Sequence, residues 1–338
     1  METDLMATPA AAPVDPQAIR LEWREAREGA PSTATMNFVV YVENERYRDW
    51  VIERAQRIVD KHPSRMIVMD AVKGAHAVRV IAGRVESEGP PLYRERVDIG
   101  VDGVRAADRL HLVESLFTTG VPVVVWWAAD RLFESNTFKA FLPVAQHVIL
   151  DSSGTGTEPT AIREFASFFA EDHDVALRDL AWMRLDPWRD VVAQFFDDPG
   201  LRDELFAIRK IEVASGSESE ALYLGCWLSS RLGWTICDAC TYCDANGVMI
   251  PFERKREGEI RRVQSIKLTT ETSVYSAYVS GTDAVALEVE GKHHHPIRHV
   301  PLQAIDNTSL VERAILDASP DEVFIEALHC VGELLKER

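Results

Sequence analysis

Hydrophobic and polar positions repeat with two different periods along this chain, and the balance between them changes past its midpoint. Residues 35–42 and 66–69 are apolar runs of strand length, and residues 46–60 set Trp50, Ile52, Ala55, Ile58 and Val59 at near-helical spacing. Residues 77–85 and 93–101 alternate apolar with polar, as half-exposed strands do. Residues 104–118 form an amphipathic pattern ended by Gly120; 122–127 reads as a strand, 136–142 as a short helix, 147–150 as a strand and 160–170 as a helix. Strands and helices taken in turn predict an α/β layer with a mostly parallel central sheet.

The densest stretch is 179–197 (DLAWMRLDPWRDVVAQFFD). The spacing predicts that Asp186 caps a helix with Pro187 in its first turn, and that Val191, Val192, Phe195 and Phe196 form the apolar face. After residues 197–200 (DDPG) the character changes. Residues 208–213 read as a strand and 219–232 as a strong helix stopped by Gly233. The pattern from 249 to 301 is β throughout, with strands at 264–270, 273–280 and 284–289, and helices follow at 309–317 and 320–336. This predicts a tail over 1–16 that is disordered, an α/β domain over 17–198, and an α+β domain with an antiparallel sheet over 199–338.

Charge narrows the partners. The chain of 338 residues carries 37 Lys and Arg against 54 Asp and Glu, a formal net charge of -17. An acidic surface repels nucleic acid and anionic lipid, so neither is an expected partner. The basic run Arg254, Lys255, Arg256, Arg261 and Arg262 reads as a charge ladder on a solvated sheet. The most apolar run, 121–129, is too short to span a membrane, and the first residues lack the basic-then-apolar pattern of a secretory signal, so the expected location is the cytoplasm. Five cysteines do not form a disulfide framework for a chain of this length.

Candidate chemistry is sparse, and each motif has two readings. Arg65, in 62–65 (HPSR), either binds a carboxylate, a phosphate or a partner loop, or satisfies the end of a helix. Trp126 and Trp127 alternate across a strand, so one is core and the other either core or exposed at the carboxyl edge of the sheet. The loop 151–157 (DSSGTGT) offers Ser152, Gly154 and Gly156 to an anion, or is a plain connection; it lacks a complete phosphate-binding fingerprint. Cys237, Cys240 and Cys243 have the spacing of metal, iron–sulfur or redox thiols, with Cys226, Cys330 or one of His293, His294 and His295 as a fourth ligand, or are three unrelated thiols. The three histidines read as an exposed loop. No serine-hydrolase, zinc-protease or nucleotide-loop signature is present, which points away from an enzyme.

The ordered set of blocks resembles the glucose-6-phosphate dehydrogenase assembly protein family, OpcA. The matching blocks are 37–40 (NFVV), 62–65 (HPSR), 122–127 (PVVVWW), 148–152 (VILDS), 179–189 (DLAWMRLDPWR), 194–196 (QFF) and 227–234 (WLSSRLGW). The resemblance implies a non-catalytic accessory protein without a cofactor. It would bind glucose-6-phosphate dehydrogenase, promote its active oligomer and raise its activity, in support of NADPH formation in the oxidative pentose phosphate pathway. In photosynthetic members this regulation is linked to thiol state. Candidate partner anchors are Arg184, Trp188 and Arg189, then Arg65 and the exposed member of Trp126 and Trp127. The competing readings are a redox- or metal-responsive protein using Cys237, Cys240 and Cys243, and a sugar-phosphate-binding protein using the 152–157 loop.

Overall fold

A computed structural model describes residues 14–85, 92–129, 136–154, 159–169, 175–238, 240–258, 262–302, 306–317 and 319–336. The chain divides after Val148 into two compact units. The expected boundary at 198 therefore moves back, because the apolar block that precedes it belongs to the second unit. There Trp182 packs edge-on against Tyr223 and tilted on Phe324, while Phe195 and Phe196 both meet Tyr275.

The first unit holds α1 (Pro16–Ala26), β1 (Asn37–Val42), α2 (Glu45–Lys61), β2 (Arg65–Asp70), β3 (Val78–Val85), β4 (Leu92–Gly100), α3 (Ala106–Glu114), β5 (Val123–Ala128) and α4 (Asn136–Phe141). Strand β1 runs parallel to β2 and β5, β2 runs parallel to β4, and β3 is antiparallel to β4. Counted by chain order, the parallel strands lie as 3-2-1-4, the start of a doubly wound sheet. All six residues of β1 and of β2 are buried, which is why these strands read as unbroken apolar runs.

Two differences from the sequence expectation have local causes. Pro16 opens a helix rather than closing a tail: Asp15 accepts from the Gln17 and Ala18 amides, and Ile19 and Trp23 are buried. Two buried positions in eleven residues are too few to stand out as a period; the expected tail over 1–13 lies outside the described residues. Helix α3 stops at Glu114, short of the expected Thr118, since Asn37 takes both the amide (2.7 Å) and the carbonyl (3.0 Å) of Thr118.

Strand β6 (His147–Leu150) crosses the division. The second unit continues with α5 (Pro159–Phe169), β7 (Ala176–Asp179), α6 (Leu180–Met183), α7 (Asp186–Gln194), α8 (Arg202–Phe206), β8 (Ile208–Ser215), α9 (Glu218–Leu232), β9 (Thr235–Asp238), β10 (Thr241–Cys243) and β11 (Met249–Arg256). It ends with β12 (Val263–Thr270), β13 (Ser273–Val279), β14 (Ala284–Gly291), β15 (His295–Pro301), α10 (Asn307–Leu316) and α11 (Glu322–Leu334). The eight-stranded sheet has the order β15-β14-β13-β12-β8-β11-β10-β9. It is antiparallel apart from the parallel β8–β11 pair.

Helix α9 ends at Gly233 in the left-handed conformation (φ 67°), as its sequence predicts. Asp186 does not cap α7. It is the first helical residue, after Leu185, and its carboxylate pairs with Arg189 and Arg313. Two residues of the basic run are ion-paired, Arg254 with Glu218 at 2.8 Å and Lys255 with Glu257 at 2.8 Å, while Arg262 donates to the Thr282 carbonyl and Arg261 lies outside the described residues. His293 and His294 lie in the turn between β14 and β15, as expected, and His295 starts β15.

Candidate functional site

The second unit encloses a charged cluster built on Arg184. This side chain leaves the turn between α6 and α7, whose start is set by Asp179 accepting from the Ala181 amide at 2.9 Å. Arg184 holds Asp151 with two nitrogens, at 2.6 and 3.1 Å, and gives its Nε to Glu220 at 3.0 Å. Ser153 Oγ (2.7 Å) and Asn307 Oδ1 (3.3 Å) accept the remaining bonds. Glu220, 1% exposed, also accepts from the Ser215 hydroxyl. Beside them lies Asp179, fully buried, which accepts from Tyr223 Oη at 2.7 Å and from the Ser152 amide at 3.0 Å.

Burial governs the protonation of this group. It pushes the Glu220 carboxyl up to about 7, against the pull of Arg184, and raises Asp179 and Tyr223. Burial opposes the Arg184 charge, yet its two carboxylate neighbours raise its pKa above the ordinary value. Both partners of the Arg184–Glu220 contact thus shift upward, which favours the charged form of Arg184 and disfavours that of Glu220. The geometry sets a charged Arg184 against the bidentate Asp151, with burial favouring the protonated form of Glu220.

The first unit has a smaller counterpart. Arg65 gives Nε to Glu95 at 2.8 Å and Nη1 to the Leu116 carbonyl at 2.9 Å, and its guanidinium lies 4.8 Å from the Trp23 ring. Arg27 pairs with the same carboxylate. Burial, then the charge of Arg27, holds Arg65 down to about 10.

The residues singled out in the sequence therefore split into groups. Trp188 (4% exposed), Trp126 (4%) and Trp127 (1%) present almost no surface, and Arg65 and Arg184 are enclosed by their own carboxylates. Trp127 stacks on Tyr41 with ring centres 3.9 Å apart. Of the two readings of this tryptophan pair, core packing of both holds and exposure of one does not, because both faces of β5 are covered. Arg189 lies 3.8 Å from the Trp182 ring and donates to the Trp182 carbonyl. In this conformation these side chains hold the fold rather than offer anchors.

The anion-loop reading loses its donors. The Ser152 amide goes to Asp179, the Ser153 amide to Asp151 Oδ1 and the Gly154 amide to the Asp151 carbonyl; Gly156 lies outside the described residues. The cysteines are not three equivalent thiols either. Cys237 and Cys243 form a disulfide, and Cys240 sits in the turn between them at φ 73°. With two sulfurs bonded to each other, the three-thiolate metal or iron–sulfur site is not assembled, and no group of three potential metal ligands occurs among the described residues.

Sequence reasoning missed Asp151, Asp179, Glu220, Tyr223 and Glu95. A signal existed for Glu220: an acid inside the apolar stretch of α9 must find a partner or a proton.

Two family models match the chain in order. Both describe a glucose-6-phosphate dehydrogenase subunit, OpcA: its N-terminal domain matches residues 55–167 and its C-terminal domain matches 175–328. The chain belongs to the OpcA family. The curated OpcA proteins it resembles are named OxPP cycle protein OpcA. One is from Synechocystis sp., 33% identical over 37% of this chain and 26% of the relative. Another is from Synechococcus elongatus, 33% identical over 36% and 27%. Each match spans well under two thirds of the relative's length. Among solved structures, the chain is similar to KijD10, a 3-ketoreductase from Actinomadura kijaniata, at 10% identity over 88% of this chain and 95% of that one, with a TM-score of 0.49. Likeness at that score carries no argument. The Arg65 cluster's core pair, Arg65 and Glu95, falls within the OpcA N-terminal match, and Asp179, Arg184, Glu220 and Tyr223 fall within the OpcA C-terminal match.

Proposed function

We propose that this chain is a non-catalytic accessory protein of glucose-6-phosphate dehydrogenase. It binds the enzyme in the cytoplasm, promotes its active oligomer and raises its activity, in support of NADPH supply through the oxidative pentose phosphate pathway. The observation that carries this reading is the ordered pair of OpcA family matches over 55–167 and 175–328. The internal pairing of Arg65 and Arg184 supports it, since both strong cations are committed to the chain's own carboxylates. Among the described residues no helix is long and apolar enough to cross a membrane.

Activation requires tighter binding to the active state of the enzyme than to the inactive one. A tenfold preference needs only about 1.4 kcal/mol. Arg184, Trp188, Arg189, Arg65, Trp126 and Trp127 serve this by shaping the surface from beneath. The test is the rate of the cognate dehydrogenase at limiting glucose 6-phosphate, with and without equimolar purified chain. A rise in rate with co-elution of both proteins is expected; no rise and no co-elution under reducing and oxidising conditions overturns the proposal.

A second reading, a thiol-responsive protein, is favoured by the Cys237–Cys243 disulfide beside the free Cys240. Its check is the same rate measured before and after a dithiol reductant, with Cys237→Ser as the variant that removes any difference.

A further inference from the structure

We infer that the face of the eight-stranded sheet opposite the Phe195–Phe196 packing is a self-association surface, and that its occupant is a second copy of this chain. Alternation along three adjacent strands defines the face. Ile266 and Leu268 of β12, Tyr275 and Ala277 of β13, and Leu287 and Val289 of β14 are buried. On the inner side Tyr275 meets Phe195 and Phe196. The intervening residues Lys267, Ser276 and Glu288 therefore point the other way, with Lys267 exposed and the other two half-buried. Beside them a trough of about 710 Å³ opens along Glu212, Glu253, Lys255, Ser265 and Lys267.

The register makes this face self-complementary. Lys267 lies opposite Ser276, and Ser276 lies opposite Glu288, so the three form one row across the sheet. Lys267 and Glu288 stand two strands apart, roughly 9–10 Å, too far to pair with each other. Neither has an ion-pair partner within 4.0 Å among the described residues, whereas the neighbouring Glu212 is already held by Lys210 at 3.2 Å. A two-fold axis lying between two such faces and running along β13 exchanges the β12 and β14 positions. It sets each Lys267 against the mate's Glu288, twice, with the small Ser276 on the axis where the sheets come closest. A row with both signs suits a copy of itself better than a partner of one sign. The opposing whole-chain charge of -17 keeps the association weak and dependent on this row.

Sedimentation equilibrium of the full chain alone, at fixed ionic strength and across micromolar concentrations, tests the proposal independently of any dehydrogenase. A monomer–dimer equilibrium is expected. Lys267→Glu and Glu288→Lys should each weaken it by roughly tenfold or more, and the double reversal should restore it. Thermal melts of the three variants report whether each is folded. A monomer at every concentration, a dimer indifferent to both single reversals, or loss of dehydrogenase binding on reversal without any self-association each overturns it.

Discussion

Arg184 and Asp151 meet side by side, with Nη2 2.6 Å from Oδ1 and Nη1 3.1 Å from Oδ2. The pair is 33 residues apart in sequence and is enclosed with Glu220. Removing the guanidinium strands two carboxylates in the interior. Arg184→Met should lower unfolding stability by about 3–5 kcal/mol. Arg184→Lys retains the charge but loses the fork and should fall between. Urea titrations followed by tryptophan fluorescence measure both, and an unchanged midpoint for Arg184→Met refutes the structural role.

The same cluster sets a pH dependence. Burial raises the Glu220 carboxyl to about 7, so the folded chain holds a proton that the unfolded chain releases near the ordinary value of 4.5. That contribution to stability is complete below the ordinary value and is lost as pH rises through about 7. Asp179 and Asp70, also raised by burial, act with the same sign. Urea midpoints should fall between these two pH values, and Glu220→Gln should flatten the curve. An equally steep curve in that variant would assign the dependence elsewhere.

Helix α9 approaches β11 through a missing side chain. A Cβ on Gly225 would lie 2.4 Å from Cζ of the buried Phe252. Gly225→Ala should therefore cost about 1–3 kcal/mol, despite the helix propensity it adds. Phe252→Leu alone leaves a void, but combined with Gly225→Ala it should recover part of the loss. Additive effects in that double-mutant cycle would show that the two residues do not touch.

The disulfide is directly countable. Alkylation of the unreduced, denatured chain should label three thiols, Cys226, Cys240 and Cys330, and all five after reduction. Closing so short a loop stabilises by about 2 kcal/mol in the chain-entropy account, which Cys237→Ser should remove. Mass spectrometry that finds five labels before reduction excludes the bond.

Much of the fold was legible in local pattern. Strands β1 and β2 announce themselves as apolar runs since both faces are covered, and the middles of β12 and β13 alternate because one face stays open. The division between units was not legible. The turn signal at 197–200 is strong, yet the preceding aromatics pack on Tyr223, Phe324 and Tyr275, far downstream in sequence.

Sequence by itself determined the order and type of the longer periodic elements, the acidic balance and the family, each of which depends on neighbouring residues or on composition. Tertiary structure alone decided what the polar and aromatic residues do. Arg184 reads as a surface anchor until Asp151, Glu220 and Asn307 arrive from 33, 36 and 123 residues away and enclose it. Alternation leaves the second of Trp126 and Trp127 either core or exposed, and only the covering of both faces of β5 decides that both are core. Burial and ion pairing are sums over distant segments, and no local period along the chain encodes them.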